Sequence, residues 1–293
     1  MISEIAGPGL RCAVDAHHGG RIVSLRSDDG AEWLAPSYPS DRTGLGASFV
    51  HAGMGGWDEV APSVQAEVQS DGTVIPDHGD LWNVPWAILS SSTDMLVLEV
   101  ELASLPVTLR RTIAATDAGL HIEYVATTEA LEDQALLWCA HPQFAADPHT
   151  TLTLGLAGRT VAPELIEEYP NRGARREFPL GPLHAMLPAG TSVKAFLPPG
   201  TMADSATLNR GGGQSLRLSW DPAALGFLGL FWDNGEFAAE PVLAIEPATG
   251  WGDSLSHAVA SGRAMSVSAA APRIWHLDLA VVPAVTATVV FGG

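Results

Sequence analysis

Apolar residues recur in this chain with a period of two, and that feature narrows the folds open to it more than any other. In 94–103 (DMLVLEVELA), 106–115 (PVTLRRTIAA) and 119–127 (GLHIEYVAT), Leu, Ile, Val and Tyr alternate with polar residues. Successive side chains of a strand point to opposite faces, so such runs bury one face and wet the other. The same reasoning predicts strands at 20–26, 84–89, 135–140, 150–156, 192–197, 214–220, 226–232, 242–246, 273–281 and 285–291. Residues 129–137 read as a loop running into a strand, and no helical period is sustained anywhere. The separators are rich in Gly, Pro, Asp and Ser, as turns require, and the glycines at 211–213 suit a hairpin tip. There is no composition break and no repeat of fixed period. Many strands without alternating helices predict an all-β sandwich of large antiparallel sheets, one domain over 1–293.

The chain has 293 residues, 46 % of them hydrophobic, which is enough to bury a large core. Its formal net charge is −18. A nucleic-acid partner needs clustered Lys and Arg to displace counterions, and an anionic membrane surface needs the same, so neither is expected. No run is long and apolar enough for a membrane helix, and residues 1–20 lack the basic opening and apolar stretch of a secretory leader. Two cysteines, Cys12 and Cys139, make neither a disulfide framework nor a four-thiolate metal site. A cytoplasmic, reduced location is the expectation.

Four segments concentrate polar, aromatic and small residues beyond what a strand or turn needs. In 76–86 (PDHGDLWNVPW), His78 sits among acids and tryptophans; Trp82 offers a face for a sugar ring, or plugs the edge of the core. In 138–144 (WCAHPQF), His141 ends an apolar strand, held by a proline that fixes φ. Histidine there serves as an acid–base group or as a buried structural residue. In 243–253 (LAIEPATGWGD), Glu246 closes an apolar strand, where partial desolvation would make a carboxylate a better base, and Trp251 follows. In 53–62 (GMGGWDEVAP), glycines let backbone approach a ligand, and Trp57 with Asp58 and Glu59 forms either a sugar-binding wall or an acid-capped turn. Metal-ligand spacings, nucleophile elbows and phosphate-cradling loops are absent. The cluster of Arg172, Arg175 and Arg176 near Glu164, Glu167 and Glu168 reads as a solvated ion-pair loop.

Taken in order, these segments resemble the galactose mutarotase-like (aldose 1-epimerase) family. GGRIVSL at 19–25 looks like its opening strand. His78-Gly79 with Trp82 and Trp86 looks like its first histidine motif, and 110–127 like the hairpin between the two histidines. His141-Pro142-Gln143-Phe144 is similar to its His-Pro-Tyr-Phe motif, and 245–250 (IEPATG) to the segment carrying its glutamate. Gln143 replaces the usual tyrosine. The Asn-Arg motif upstream of the first histidine is missing, Trp57-Asp58-Glu59 standing in that stretch, and the family's sugar-contacting aspartate has no match.

The resemblance implies a β-supersandwich with its catalytic groups on the concave face, acting on a sugar without metal or organic cofactor. It implies Glu246 as base and His141 as an imidazolium acid, with His78 binding near the ring oxygen. Trp57, Asp58, Trp82 and Trp251 are the further sugar-contacting candidates. A monomer or homodimer is expected. Two rival readings remain: a non-catalytic sugar-binding sandwich, and a sugar-phosphate epimerase on the same fold, which would need converging basic residues.

Overall fold

The structure is a computed structural model and describes residues 2–36, 48–50, 53–179, 181–182, 187–211 and 213–284. The strands, in chain order, begin with β1 (Ile2–Gly7), β2 (Leu10–Asp15), β3 (Arg21–Ser27), β4 (Gly56–Val60), β5 (Glu67–Val68) and β6 (Val74–Ile75). Next come β7 (Ala87–Ser91), β8 (Met95–Glu101), β9 (Thr108–Thr116), β10 (Gly119–Thr127), β11 (Gln134–Leu136) and β12 (Cys139–Ala145). Then follow β13 (Thr151–Leu156), β14 (Arg159–Val161), β15 (Glu164–Tyr169), β16 (Arg175–Glu177), β17 (Ser192–Phe196) and β18 (Ser205–Asn209). The last are β19 (Gln214–Ser219), β20 (Phe227–Asp233), β21 (Val242–Ala248), β22 (Met265–Val267) and β23 (Arg273–Pro283), with a short helix α1 (Leu255–Ala260) after β21.

Two large sheets hold almost all of these. One has ten strands in the order β1-β2-β3-β4-β12-β21-β20-β17-β15-β16, the other nine in the order β14-β13-β18-β19-β23-β10-β9-β8-β7. Every strand pair recorded in these sheets is antiparallel, which makes the chain all-β, as the alternation requires. The predicted strands of the second sheet match best: β8, β9 and β10 bury every other residue and pair in unbroken register. Their inward side chains (Leu98, Ile113, Ile122) meet inward residues of the first sheet (Leu25, Trp57, Ile245) in one continuous core. The strand predicted at 285–291 lies outside the described residues.

Differences from the sequence reading have local causes. The predicted strand at 135–140 divides: β11 pairs with β22, and β12 starts at Cys139 in the first sheet. β4 lies in the segment 53–62, for which the sequence offers a sugar-binding wall or an acid-capped turn and no strand. It is a central strand buried on both faces, so its sequence GWDEV shows no alternation. α1 is announced by a cap, the Ser254 side chain accepting from the His257 N–H. No helix among the described residues is long and apolar enough to cross a membrane. Cys12 and Cys139 are buried and unpaired.

One polar cluster ties the two sheets through the core. Glu59 of β4 accepts from Arg111 Nη1 of β9 at 2.9 Å and from the Tyr124 hydroxyl of β10 at 2.8 Å. Arg111 also donates to the Gly20 carbonyl and lies over the Trp86 ring. All three side chains are fully buried. Burial pushes the Glu59 carboxyl up to about 7, although Arg111 and Tyr124 draw it down.

Candidate functional site

The site is built on a row of residues that crosses the middle of the ten-stranded sheet. β12 pairs with β4 so that His141 stands opposite Asp58. On its other side β12 pairs with β21 at Cys139↔Ala248 and at Gln143↔Ala244; counting inward from either pair puts His141 opposite Glu246. β21 continues the row to Gly229 of β20, and β20 to Phe196 of β17. Pro142 and Pro247 fall in the gap of the β12–β21 ladder. Proline has no N–H to give, so central strands normally avoid it; here the lapse in backbone pairing coincides with the reactive row.

Side chains of this row that face away from the sandwich core meet loops at a pocket of about 280 Å³. Its lining includes Phe49, Asp77, His78, His141, Lys194 and Asp253. Glu246 lies beneath, 1 % exposed, with Oε1 3.6 Å from His141 Nε2. Glu246 Oε1 and His141 Nδ1 have no hydrogen-bond partner among the described residues.

His78 arrives from the loop before β7. It adopts φ 59° and Gly79 follows at φ 70°, a pair of left-handed residues that turns the chain sharply. A side chain at Gly79 would lie 2.0 Å from the Ala61 carbonyl oxygen, so glycine is obligatory there. The turn sets the His78 ring 5.5 Å from the His141 ring and stacks it on Phe49 at 3.8 Å. His78 Nδ1 is 3.0 Å from Asp77 Oδ1. Burial would raise the Asp77 carboxyl, but the hydrogen bond and charge of His78 outweigh it and hold the group below its ordinary value.

His141 is pushed well below its ordinary value, first by burial, then by His78 and Lys194, against a weaker pull from Asp58. Its neutral form is therefore favoured. This runs against the expectation of a resting imidazolium, for a reason the sequence hides: His141 does not end a strand but lies inside β12, between β4 and β21, where it is buried.

The other expected contacts divide. Asp58 is buried beside His141 and ion-paired with Arg21, Nε to Oδ2 3.6 Å. Trp57 faces the opposite way, into the core between the sheets, edge-on to Phe144. Trp82 is buried behind Phe49 and donates to the Asp77 carbonyl. Trp251 lies outside the pocket lining, donating to the Leu197 carbonyl, with Arg263 over its ring. The aromatic walls are Phe49, Phe231 and Phe237 instead. Gln143 sits one row from His141, and its Oε1 accepts from the Gly55 N–H at 2.9 Å.

Lys194 is the residue the sequence reading missed. It is the only lysine in the chain. Its ammonium donates to Glu246 Oε2 and stands 3.4 Å from Asp253 Oδ1. Lys194 stands opposite Phe231 and reaches from β17 past β20 to β21; at Gly229 a β-carbon would sit 2.9 Å from the Phe196 ring and 3.0 Å from Glu246 Oε2. Asp253 is held by its own backbone: its carbonyl accepts from the N–H groups of Val64 and Gln65. Among the described residues no cluster of His, Cys, Asp and Glu is placed to hold a metal.

No family model matches the chain, and neither does any curated protein. Solved structures do. A galactose mutarotase-like protein from Lactobacillus casei superposes with a TM-score of 0.70 at 17 % identity, over 96 % of this chain and 100 % of that one. The chain has the galactose mutarotase-like fold. A galactose mutarotase related enzyme from Lactobacillus acidophilus shares that fold with a TM-score of 0.71 at 11 % identity, over 96 % and 97 % of the two chains. So does an Escherichia coli K12 protein named provisionally as an aldose 1-epimerase, at 0.71 and 16 %, over 97 % and 99 %. At these identities the likeness is one of galactose mutarotase-like fold, and the chemistry has to be argued from the pocket.

Proposed function

We propose that the chain is an aldose 1-epimerase, exchanging the α- and β-anomers of a neutral sugar by opening and reclosing the ring. One observation carries this reading: a carboxylate and an imidazole stand opposite each other, 3.6 Å apart, at the floor of a pocket. Ring opening removes a proton from the C1 hydroxyl and delivers one to the ring oxygen, and both oxygens are bonded to the same carbon. A base and an acid serving them must therefore be close neighbours. Glu246 takes the hydroxyl proton, His141 protonates the ring oxygen, and reclosure on the other face reverses both transfers. His78, 5.5 Å from His141 between ring centres, orients the ring oxygen. The volume of about 280 Å³ suits one sugar ring, being just below the ~300–1,000 Å³ of drug-sized sites. Glu246, Asp77 and Asp253 outnumber Lys194 among the described charges, which supports a neutral substrate over a sugar phosphate.

The reaction needs a proton on His141 before it can be given to the ring oxygen. Because His141 is held below its ordinary value, its protonated form is scarce at pH 7 and grows as the pH falls. The alkaline limb of kcat/KM, which reports the free enzyme, is expected below the ~6.5 of an unperturbed histidine. Polarimetry between pH 4.5 and 8 checks this; a rate unchanged from pH 6 to 8 would remove imidazolium from the mechanism.

The test of the function itself is to add the protein to freshly dissolved α-glucose or α-galactose and follow optical rotation. Acceleration above the spontaneous rate supports the reading. Binding of either sugar without acceleration would make the chain a sugar-binding sandwich.

A further inference from the structure

A buried lysine loses hydration and side-chain freedom, so the one lysine of this chain has to be explained by what it touches. Its ammonium lies between two carboxylates, hydrogen-bonded to Glu246 Oε2 and 3.4 Å from Asp253 Oδ1. This divides the oxygens of Glu246: Oε2 is held, while Oε1 is unpartnered and faces His141. Asp253 Oδ1 is likewise buried without a hydrogen bond.

We propose that Lys194 and Asp253 are positioning residues that act through Glu246 with opposite sign: Lys194 keeps the carboxylate ionised and turned toward the substrate, and Asp253 takes over the ammonium's charge when Glu246 is protonated. The inference rests on Glu246 being the base. At rest the trio carries one positive and two negative charges. When the C1 O–H bond breaks, its proton passes to Glu246 Oε1. The bonding pair becomes the second C–O bond of the aldehyde as the C1–O5 bond breaks, and O5 receives a proton from His141 in its imidazolium form, which is left as the neutral imidazole. The trio is then a neutral acid beside a balanced Lys194–Asp253 pair. Without Lys194, two carboxylates would face each other and favour the protonated base. Without Asp253, the ammonium would serve Glu246 alone and resist proton uptake.

The other ionisable groups around the trio are His141 and Cys139 on β12, Asp58 on β4, and Asp77 and His78 on the loop before β7. Glu168 on β15 and His257 on α1 are the others among the described residues. Neither substitution below replaces any of them, but Lys194 also holds His141 down, so Lys194→Met moves the alkaline limb as well and the inference is read from the acid limb. The charge states agree with the geometry. Burial works against the Lys194 ammonium, yet Asp253 and Glu246 hold it above its ordinary range. Asp253 is raised by burial first, Lys194 opposing and Glu246 reinforcing.

The test is the pH dependence of kcat/KM in wild type, Lys194→Met and Asp253→Asn, with melting curves. The acid-side half-maximum should move up by about one pH unit or more in Lys194→Met and down in Asp253→Asn. Folded variants that keep the wild-type profile would overturn the inference. A second readout needs no change at the lysine. Protein grown on lysine labelled with ¹⁵N at Nζ gives one ammonium resonance, which should move in Glu246→Gln and again in Asp253→Asn; a resonance that moves in neither overturns the inference. A wild-type rate in Glu246→Gln would sink the proposed function. An inactive Glu246→Gln with unmoved profiles in the other two sinks only the role of the pair.

Discussion

Glu246→Gln should leave the chain folded and lower anomer exchange by about 10²-fold or more, the usual size of general-base assistance. Glutamine has nearly the shape of glutamate and can still hydrogen-bond a C1 hydroxyl, but it cannot take the proton. The loss should therefore fall on kcat and leave KM nearly unchanged. The surroundings make the variant a fair test. Lys194 loses one partner but keeps Asp253, so the ammonium is not stranded. NMR saturation transfer between anomers, with melting curves alongside, measures the effect. A folded variant turning over at the wild-type rate would end the case for Glu246 as base.

The largest stability effect is expected on the other face of β4, in the core between the sheets. Arg111→Met removes the only guanidinium hydrogen-bonded to Glu59 among the described residues, and breaking a buried pair from one side costs about 3–5 kcal/mol. The loss should depend on pH. In the folded wild type the Glu59 carboxyl is raised to about 7, above the ~4.3 of an unfolded chain. Proton binding at Glu59 thus contributes stability that is full below the unfolded value and is lost as the pH rises through about 7. Without Arg111 the protonated form is favoured further, so the variant should be crippled at pH 8 and less so at pH 5. Urea denaturation at both pH values tests this; equal losses, or losses below about 1 kcal/mol, would show that the cluster is not the tie it looks to be. Replacing both partners, as Glu59→Leu with Arg111→Met, should recover most of the loss, because no charge is left buried alone.

The legibility of the chain follows from burial. β8, β9 and β10 have one wet face, so alternation marks them unmistakably. β4, β12 and β21 are covered on both faces, and their sequences carry polar residues where alternation would ask for leucine. His141 and Glu246 were found because each ends an apolar run and because their neighbours resemble a family's motifs. Their partnership is a matter of register that only the sheet order reveals. Lys194 was passed over because a charged residue inside a strand reads as solvent-facing, whereas SVKAF is buried at every position. The tryptophans misled in a physical way. An indole is as useful in a core as on a binding wall, and Trp57 and Trp82 are placed by the sides of the sheet and loop they occupy.

The position of Lys194 also bears on chemical reactivity. An open-chain aldose is an electrophile, and a free amine beside it would condense to an imine and trap the intermediate. The only ε-amine here is kept as an ammonium by two carboxylates, so on the proposed reading it has no lone pair to offer the aldehyde. Elsewhere the chain has no lysine at all. The outer surface of these 293 residues thus offers sugar aldehydes no lysine to glycate.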